Sequence, residues 1–134
     1  MIKKFNIDWQ TFDFAVTDIV GEYEDKGITQ IVGLSRGGLP LAVALSNKLN
    51  IPMTPIVWQT RDGSRQDKEA LSNLENIETT LFVDDICDSG LTIEQIRRVY
   101  PDSIWCTLVN KRPGFIDYSP LEVQGDEWIV FPWE

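Results

Sequence analysis

Positions 83–92 combine acidic, hydroxyl and glycine residues in one short stretch. The sequence there is Val83-Asp84-Asp85-Ile86-Cys87-Asp88-Ser89-Gly90-Leu91-Thr92. The apolar and β-branched residues 80–83 predict a short buried strand, and residues 92–100 predict a helix that Pro101 ends. Small and hydroxyl residues between a strand and a helix leave backbone N–H groups free to face an anion, which a helix N-terminus also favours. The stretch therefore predicts a phosphate-binding loop.

The three aspartates of this stretch conflict with a simple phosphate site, because their charge would repel the ligand. Two physical solutions are open. A hard divalent cation such as Mg²⁺ takes carboxylate and phosphate oxygens together, and ligand hydroxyls donate hydrogen bonds to ionised carboxylates. A plainer alternative is that Asp88 caps the helix while Asp84 and Asp85 end a strand in solvent. The complete strand–loop–helix pattern favours a ligand site.

The segments around this loop alternate between strand and helix patterns. Apolar spacing predicts two further helices, three further strands and two short strand-like pieces. They are helices 9–25 and 39–49, strands 28–34, 53–59 and 103–109, and pieces 121–123 and 128–131. This order predicts one α/β domain over residues 1–134, with a mostly parallel twisted sheet flanked by helices. Ligands bind at the carboxyl ends of strands in such sheets, and the unusual residues follow strands here: Ser35 to Gly38, Asp84 to Thr92, and Lys111-Arg112.

Composition excludes several classes of function. The net charge of −9 argues against a general nucleic-acid binder, which needs a basic field. The sequence has no histidine, so histidine-based catalytic triads and histidine zinc sites are excluded. Acid–base chemistry therefore falls to carboxylates, lysine or tyrosine.

The cellular compartment is also suggested by composition. The two cysteines, Cys87 and Cys106, are too few for a disulfide framework and indicate a reducing compartment. No apolar run approaches the roughly 20 residues of a membrane span, and residues 1–8 are too polar for a secretory signal. We expect a cytoplasmic protein without membrane or nucleic-acid partners.

A polar stretch separates the second and third main strands. The ten residues 60–69 contain no large apolar side chain. A stretch of this kind inside a compact domain is typical of a functional lid, so we expect a mobile lid over about 60–78. A solvated loop is the alternative. The cations that it offers to a ligand are Arg61, Arg65 and Lys68.

The stretch from Val83 to Thr92 resembles the phosphoribosyl-pyrophosphate motif of type I phosphoribosyltransferases. The chain as a whole is similar to the small bacterial xanthine-guanine enzymes of that family, from Asp8-Trp9 through Ser35-Arg36-Gly37-Gly38 to Trp128-Ile129 and Pro132-Trp133. The resemblance implies the type I fold, with a small terminal β subregion over the base site formed by about 110–134. It implies transfer of the 5-phosphoribosyl group from phosphoribosyl pyrophosphate to a 6-oxopurine (guanine, xanthine or hypoxanthine) in purine salvage. It also implies Mg²⁺ as cofactor and a homodimer or homotetramer.

The resemblance assigns roles to matching positions. Asp84 and Asp85 would hold the ribose hydroxyls with Mg²⁺ nearby, and Asp88 would act as acid or base toward the purine N7. The loop that would bind the 5′-phosphate consists of Asp88, Ser89, Gly90, Leu91 and Thr92, with Leu91 where the nearest family members often carry glycine.

Three further sets of residues match the family. The pyrophosphate loop would be formed by Ser35, Arg36, Gly37 and Gly38, with Arg36 stabilising the leaving group. Lys111 would read the exocyclic O6, Trp128 would stack on the base, and the carbonyl of Ile129 would face the base edge. One of the lid cations would help to hold pyrophosphate.

Three alternatives remain open. The chain could transfer phosphoribose to another base or to a non-nucleobase acceptor. It could be a regulator that keeps the fold and senses nucleotide or RNA, although the charge of −9 counts against RNA. It could be a phospho-acceptor receiver domain, but in that family the acidic pair follows the first strand, whereas Asp84-Asp85 comes late and leads into Ser89-Gly90.

Overall fold

The computed structural model describes residues 3–60 and 65–134. These ranges form an alternating set of strands and helices, which confirms the predicted α/β class. In chain order they are β1 (Lys4–Asn6), α1 (Trp9–Tyr23), β2 (Gln30–Ser35), α2 (Leu39–Leu49), β3 (Met53–Val57), α3 (Lys68–Ser72), β4 (Thr80–Cys87), α4 (Leu91–Arg97), β5 (Ile104–Asn110), β6 (Leu121–Glu122) and β7 (Trp128–Val130). Within these ranges, no helix combines the length and hydrophobicity needed to cross a bilayer.

Five strands form one parallel sheet in the order β3-β2-β4-β5-β6. The chain moves outward from β2 to β3 through α2, and from β4 through β5 to β6 on the other side. β2 and β4 are therefore central neighbours, paired from Gln30–Thr80 to Gly33–Val83. Ligands of open α/β sheets bind where the strand order reverses in this way. The fold thus points to the carboxyl ends of β2 and β4.

A second, two-stranded parallel sheet pairs β1 with β7, with Phe5 opposite Ile129. Aromatic rings pack the segment after β7 onto α1. Phe131 and Trp133 stack with ring centroids 4.9 Å apart, and Trp133 meets Phe12 of α1 edge-on at 5.8 Å. The small terminal β subregion that the resemblance implies for about 110–134 is thus formed by β7 with β1, whereas β6 joins the edge of the main sheet.

Alternate residues of the central strands fill two hydrophobic cores, one on each face of the main sheet. Ile31 and Leu81 pack with α1 and α2, whereas Val32, Phe82 and Trp105 pack with α3 and α4. The Phe82 and Trp105 rings stack with centroids 5.2 Å apart. Because successive strand side chains point to opposite faces, one sheet supports both cores and holds its strand ends in place.

The predicted helices and strands are present with shifted ends. Asp8 caps α1, since its carboxylate accepts a hydrogen bond from Thr11 N at 2.8 Å. β4 does not end at Val83 but continues through Cys87, because Asp84, Ile86 and Cys87 pair with β5. The acidic pair therefore lies within a strand. The short elements β1 and α3 were not predicted from the sequence.

The predicted lid region is only partly described. Residues 61–64, which include Arg61, lie outside the described ranges, and Arg65 is exposed. The part from Lys68 onward forms α3, which packs on the core through the buried Leu71. Lid closure remains a prediction, while α3 anchors the C-terminal half of this region to the domain.

Gly33 of β2 lies against α2 with no room for a side chain. A Cβ at this position would lie 2.6 Å from the Cβ of Ala42. We predict that Gly33→Ala lowers the free energy of unfolding by about 1–3 kcal/mol, measured by urea denaturation, because the core is overpacked. Gly21→Ala is the control, since its Cβ would meet nothing within 4 Å. Alanine at this exposed position of α1 should raise stability by about 0.5–1 kcal/mol. Equal stability of the two variants would contradict the packing argument.

Candidate active site

The acidic pair lies in the second half of β4, beside the end of β2. Asp84 accepts a hydrogen bond from Asp85 N, and Asp85 accepts one from Ile86 N, both at 2.8 Å. Burial raises the pKa of Asp84 well above its usual range, and the charge of Asp85 raises it further. Burial also raises the pKa of Asp85. The fold therefore holds two neighbouring carboxylates whose negative charge is unfavourable without a positive partner.

The predicted phosphate loop borders a pocket of about 330 Å³ that residues 84–93 and Thr60 line. Gly90 precedes the first residue of α4 as its N-cap, with a φ of 84°, and a Cβ there would lie 2.7 Å from the Phe115 ring. Glycine is required here by both the left-handed backbone and the close contact. The structure brings together around this pocket all five predicted loop residues: Asp88, Ser89, Gly90, Leu91 and Thr92. Their role in binding phosphate remains a prediction.

Two residues that sequence reasoning left unassigned contact this loop. Arg112 Nη1 donates to the carbonyl oxygen of Ser89 at 2.7 Å, and its guanidinium lies 4.2 Å from the centroid of the Phe115 ring. The hydroxyl of Thr60 is hydrogen-bonded to that of Thr92. Arg112 follows a strand next to Lys111, and this placement was a usable signal. The sequence contains no comparable signal for Thr60.

The predicted pyrophosphate loop lies against the acidic pair. The peptide bond between Ser35 and Arg36 is cis, and the Arg36 side chain is exposed. A Cβ on Gly37 would clash with the carboxylate of Asp85, and one on Gly38 would lie 2.6 Å from the carbonyl oxygen of Val83. Two successive glycines therefore let this loop approach the end of β4. The loop borders the acidic pair and does not line the phosphate-loop pocket.

A second pocket, of about 180 Å³, shares Ile86 and Asp88 with the first. Lys111 Nζ donates to the carbonyl oxygen of Glu127 at 2.7 Å and lies 3.9 Å from Asp88 Oδ1. The lysine side chain is only 13% exposed, whereas Trp128 leaves 58% of its surface exposed at the pocket. The other residues that line this pocket are Ile129, Phe131 and Glu134.

The backbone of Ile129 points away from β1. Trp128 N donates to Lys3 O, and Val130 O accepts from Ile7 N, both at 2.8 Å. Because consecutive residues of a strand direct their backbone polar groups to opposite edges, the N–H and C=O of Ile129 face the other edge. That carbonyl is directed away from the small sheet, as the expectation for a base contact requires.

The family model of the phosphoribosyl transferase domain matches residues 8–134. The chain belongs to this family. It is 28% identical over 138 residues to the xanthine-guanine phosphoribosyltransferase of Chromohalobacter salexigens, covering 98% of this chain and 85% of that protein. It is 33% identical over 124 residues to the enzyme of the same name from Cereibacter sphaeroides, covering 85% and 74% of the two chains. The crystal structure of a purine phosphoribosyltransferase from Pyrococcus horikoshii matches with a TM-score of 0.75 at 25% identity, over 99% of this chain and 95% of that one.

The acidic pair of this phosphoribosyltransferase fits a magnesium ion. Mg²⁺ prefers oxygen ligands and usually binds through one or two carboxylates together with waters and substrate phosphates. In the described part of the chain, no group of three or more acidic, cysteine or histidine side chains forms a metal cage. A cation beside Asp84 and Asp85 would offset the burial of their charges, and its other ligands would come from substrate or water.

Asp84→Asn should stabilise the free phosphoribosyltransferase. It removes one of two adjacent half-buried charges and keeps an oxygen that accepts from Asp85 N. We predict a rise of about 1–2 kcal/mol in the free energy of unfolding at neutral pH, measured by urea denaturation without ligand. Asp13→Asn, on the exposed side of α1, is the matched control and should change stability by less than about 0.5 kcal/mol. A destabilised Asp84→Asn variant would show that the charge is already compensated within the fold.

Proposed function

We propose that this phosphoribosyltransferase transfers the 5-phosphoribosyl group from phosphoribosyl pyrophosphate to a 6-oxopurine and releases pyrophosphate, in purine salvage. The bases considered are guanine, xanthine and hypoxanthine. The observation that carries the proposal is the position of Asp88 in the wall between two pockets. One pocket contains the phosphate loop, and the other contains Lys111 and Trp128. The names of the curated relatives support the same substrate class. A cytoplasmic homodimer or homotetramer is part of the proposal.

The phosphate-loop pocket would hold the phosphoribosyl group. Backbone N–H groups at the start of α4, with the hydroxyls of Ser89 and Thr92, would bind the 5′-phosphate. Asp84 and Asp85 would accept hydrogen bonds from the ribose hydroxyls. Mg²⁺, if held by this pair, would supply positive charge that stabilises the departing pyrophosphate. The exposed guanidinium of Arg36 would contribute donors to the same leaving group.

The second pocket would bind the base and select the substituent at its 6-position. One proton of the Lys111 ammonium is directed to the carbonyl of Glu127, and another is free for a ligand oxygen. A 6-oxo group accepts that hydrogen bond, whereas the 6-amino group of adenine presents hydrogens to a cation. Such a mismatch leaves buried donors unpaired and discriminates strongly between substrates. Trp128 would stack on the ring, and Ile129 O would accept from a 2-amino group.

Asp88 would act as the acid or base for the purine. Its carboxylate faces the base pocket, 3.9 Å from the Lys111 ammonium, and borders the pocket proposed for ribose. The reaction needs a base to accept the proton that leaves the purine as the nitrogen attacks the sugar carbon. A carboxylate is one of the side chains that can accept a proton in a chain without histidine, and Asp88 borders both pockets. Most of the remaining rate enhancement would come from positioning and charge stabilisation.

The substrate assignment is tested by pyrophosphate release with phosphoribosyl pyrophosphate and Mg²⁺. Guanine, xanthine, hypoxanthine, adenine and orotate are assayed in parallel. We expect release with at least one 6-oxopurine, less than about 1% of that rate with adenine because of the Lys111 mismatch, and none with orotate, which is not a purine. Release with adenine alone would overturn the base assignment. Binding of phosphoribosyl pyrophosphate without release in any assay would favour a different acceptor or a nucleotide-sensing role.

Asp88→Asn should separate chemistry from binding. We predict that kcat falls by about 10²–10⁴-fold, the usual contribution of a general acid or base. The affinity for phosphoribosyl pyrophosphate, measured by calorimetry, should change by less than about threefold. Asp102→Asn, an exposed aspartate beyond α4, should leave both values unchanged. An unaltered kcat in Asp88→Asn would remove the proposed role.

A further inference from the structure

Two segments on either side of residues 61–64 pair with each other beside α4. We call residues 57–60 and 65–67 the paired segments. Gln59 N donates to Arg65 O at 2.9 Å, and Asp67 N donates to Val57 O at 3.0 Å. An antiparallel bridge joins Trp58 and Gln66 between these bonds. The first of the segments ends at Thr60, which lines the phosphate-loop pocket.

One side-chain oxygen of α4 accepts hydrogen bonds from both paired segments. Gln95 Oε1 accepts from Trp58 Nε1 at 2.9 Å and from Gln66 Nε2 at 3.2 Å. Trp58 is 8% exposed, and Gln95 Oε1 is the acceptor that the structure gives to its indole N–H. An unpaired buried donor is strongly unfavourable. The geometry therefore makes the Gln95 carbonyl the acceptor that fixes Trp58 and Gln66 together on α4.

The same face of α4 contacts the paired segments a second time, closer to the phosphate loop. Thr92 precedes Gln95 by three residues, so the two side chains lie on one side of the helix. The hydroxyl of Thr92 is hydrogen-bonded to that of Thr60. The helix thus contacts the paired segments at two positions, Thr92 and Gln95. Thr92, in its first turn, is also part of the phosphate loop. A shift of the segments along α4 would move Thr60 away from the pocket.

We propose that Gln95 is a positioning residue that places Thr60 in the wall of the phosphate-loop pocket. Gln95 does not line that pocket and acts through Trp58, Gln66 and the segments they belong to. This inference rests on the proposed function, because the ligand of the pocket is taken to be the phosphoribosyl group. We expect loss of Gln95 to weaken substrate binding, because Thr60 is hydrogen-bonded to Thr92 of the phosphate loop and that loop is proposed to bind the non-reacting phosphate.

The first test needs no substrate. Gln95→Met keeps the length of the side chain but removes the acceptor, whereas Gln95→Glu keeps two acceptor oxygens. Hydrogen exchange followed by mass spectrometry is measured on peptides that cover Gln59 and Asp67, with β5 as internal reference. Gln95→Met should exchange about tenfold faster in the paired segments and at the wild-type rate in β5. Gln95→Glu should stay close to wild type. Gln10→Met, an exposed glutamine of α1, is the matched control.

The second test uses steady-state kinetics with the base that gives the fastest pyrophosphate release. In Gln95→Met, KM for phosphoribosyl pyrophosphate should rise about five- to tenfold, which corresponds to the free energy of about one hydrogen bond in substrate binding, while kcat changes by less than about twofold. Gln95→Glu should restore most of the KM. Thr60→Val should raise KM to a similar degree. KM of the double variant should be no higher than that of the single variant with the higher KM, because both changes act on one contact.

The outcomes separate this inference from the proposed function. Unchanged exchange in Gln95→Met, or additive effects in the double variant, would overturn the positioning role of Gln95. A Gln95→Glu variant that behaves like Gln95→Met would overturn it as well, since the acceptor would then be irrelevant. A wild-type protein that releases no pyrophosphate, together with fast exchange in Gln95→Met, would contradict the proposed function and leave the placement of the paired segments supported.

Discussion

The pairing of β2 with β4 is the constraint on which the rest of the site depends. These two strands are neighbours in the sheet but are separated in the chain by α2, β3 and α3. Their carboxyl ends lead into two different loops that must share one space. The loops fit only because Gly37 and Gly38 carry no side chain, where a Cβ would meet Asp85 or the carbonyl of Val83. Backbone pairing in the core thus sets the distance between the residues proposed to bind pyrophosphate and ribose.

The same arrangement places two carboxylates side by side, which lowers the stability of the fold. The two hydrophobic cores must compensate for this loss. Asp84 and Asp85 sit side by side with raised pKa values, an unfavourable state for a free domain. The strand that carries them is held by the buried Phe82 and by its stacking on Trp105. Natural proteins accept local conflicts of this kind at functional sites and compensate for them elsewhere. The acidic pair is therefore better explained by a ligand than by stability.

Much of this structure could be predicted from local sequence patterns. Long periodic segments such as α1 and α2 were identified because their apolar faces recur over several turns, and the loops after β2, β4 and β5 were found because parallel sheets collect ligands there. β1 and α3 were missed because three and five residues are too few to show a period. β4 was predicted too short because two aspartates look like a strand end, and only pairing with β5 extends it.

The site shows the same division between local and long-range information. Asp88, Lys111 and Trp128 were selected by residue type and resemblance, and the structure places all three around one pocket. The contacts of Thr60 with Thr92 and of Gln95 with Trp58 join residues 32 and 37 positions apart. Nothing in a single sequence indicates such pairs. They arise because α4 packs beside the end of β3, which is a property of the assembled sheet.

Charge explains why the phosphate and magnesium assignments depend on each other. At physiological salt, charges more than about 8 Å apart are largely screened, so an anionic substrate responds to the site rather than to the net charge of −9. The carboxylates there are Asp84, Asp85, Asp88, Glu127 and Glu134, and the nearby cations are Arg36, Lys111 and Arg112. The carboxylates are in excess, and Lys111 and Arg112 are already engaged with carbonyl oxygens. A substrate with several phosphate charges is therefore not attracted by these side chains alone. A divalent cation held by the acidic pair would offset this excess on the side where pyrophosphate is proposed to leave. If the pocket binds a phosphorylated sugar, the two half-buried carboxylates are the feature that makes the accompanying cation necessary.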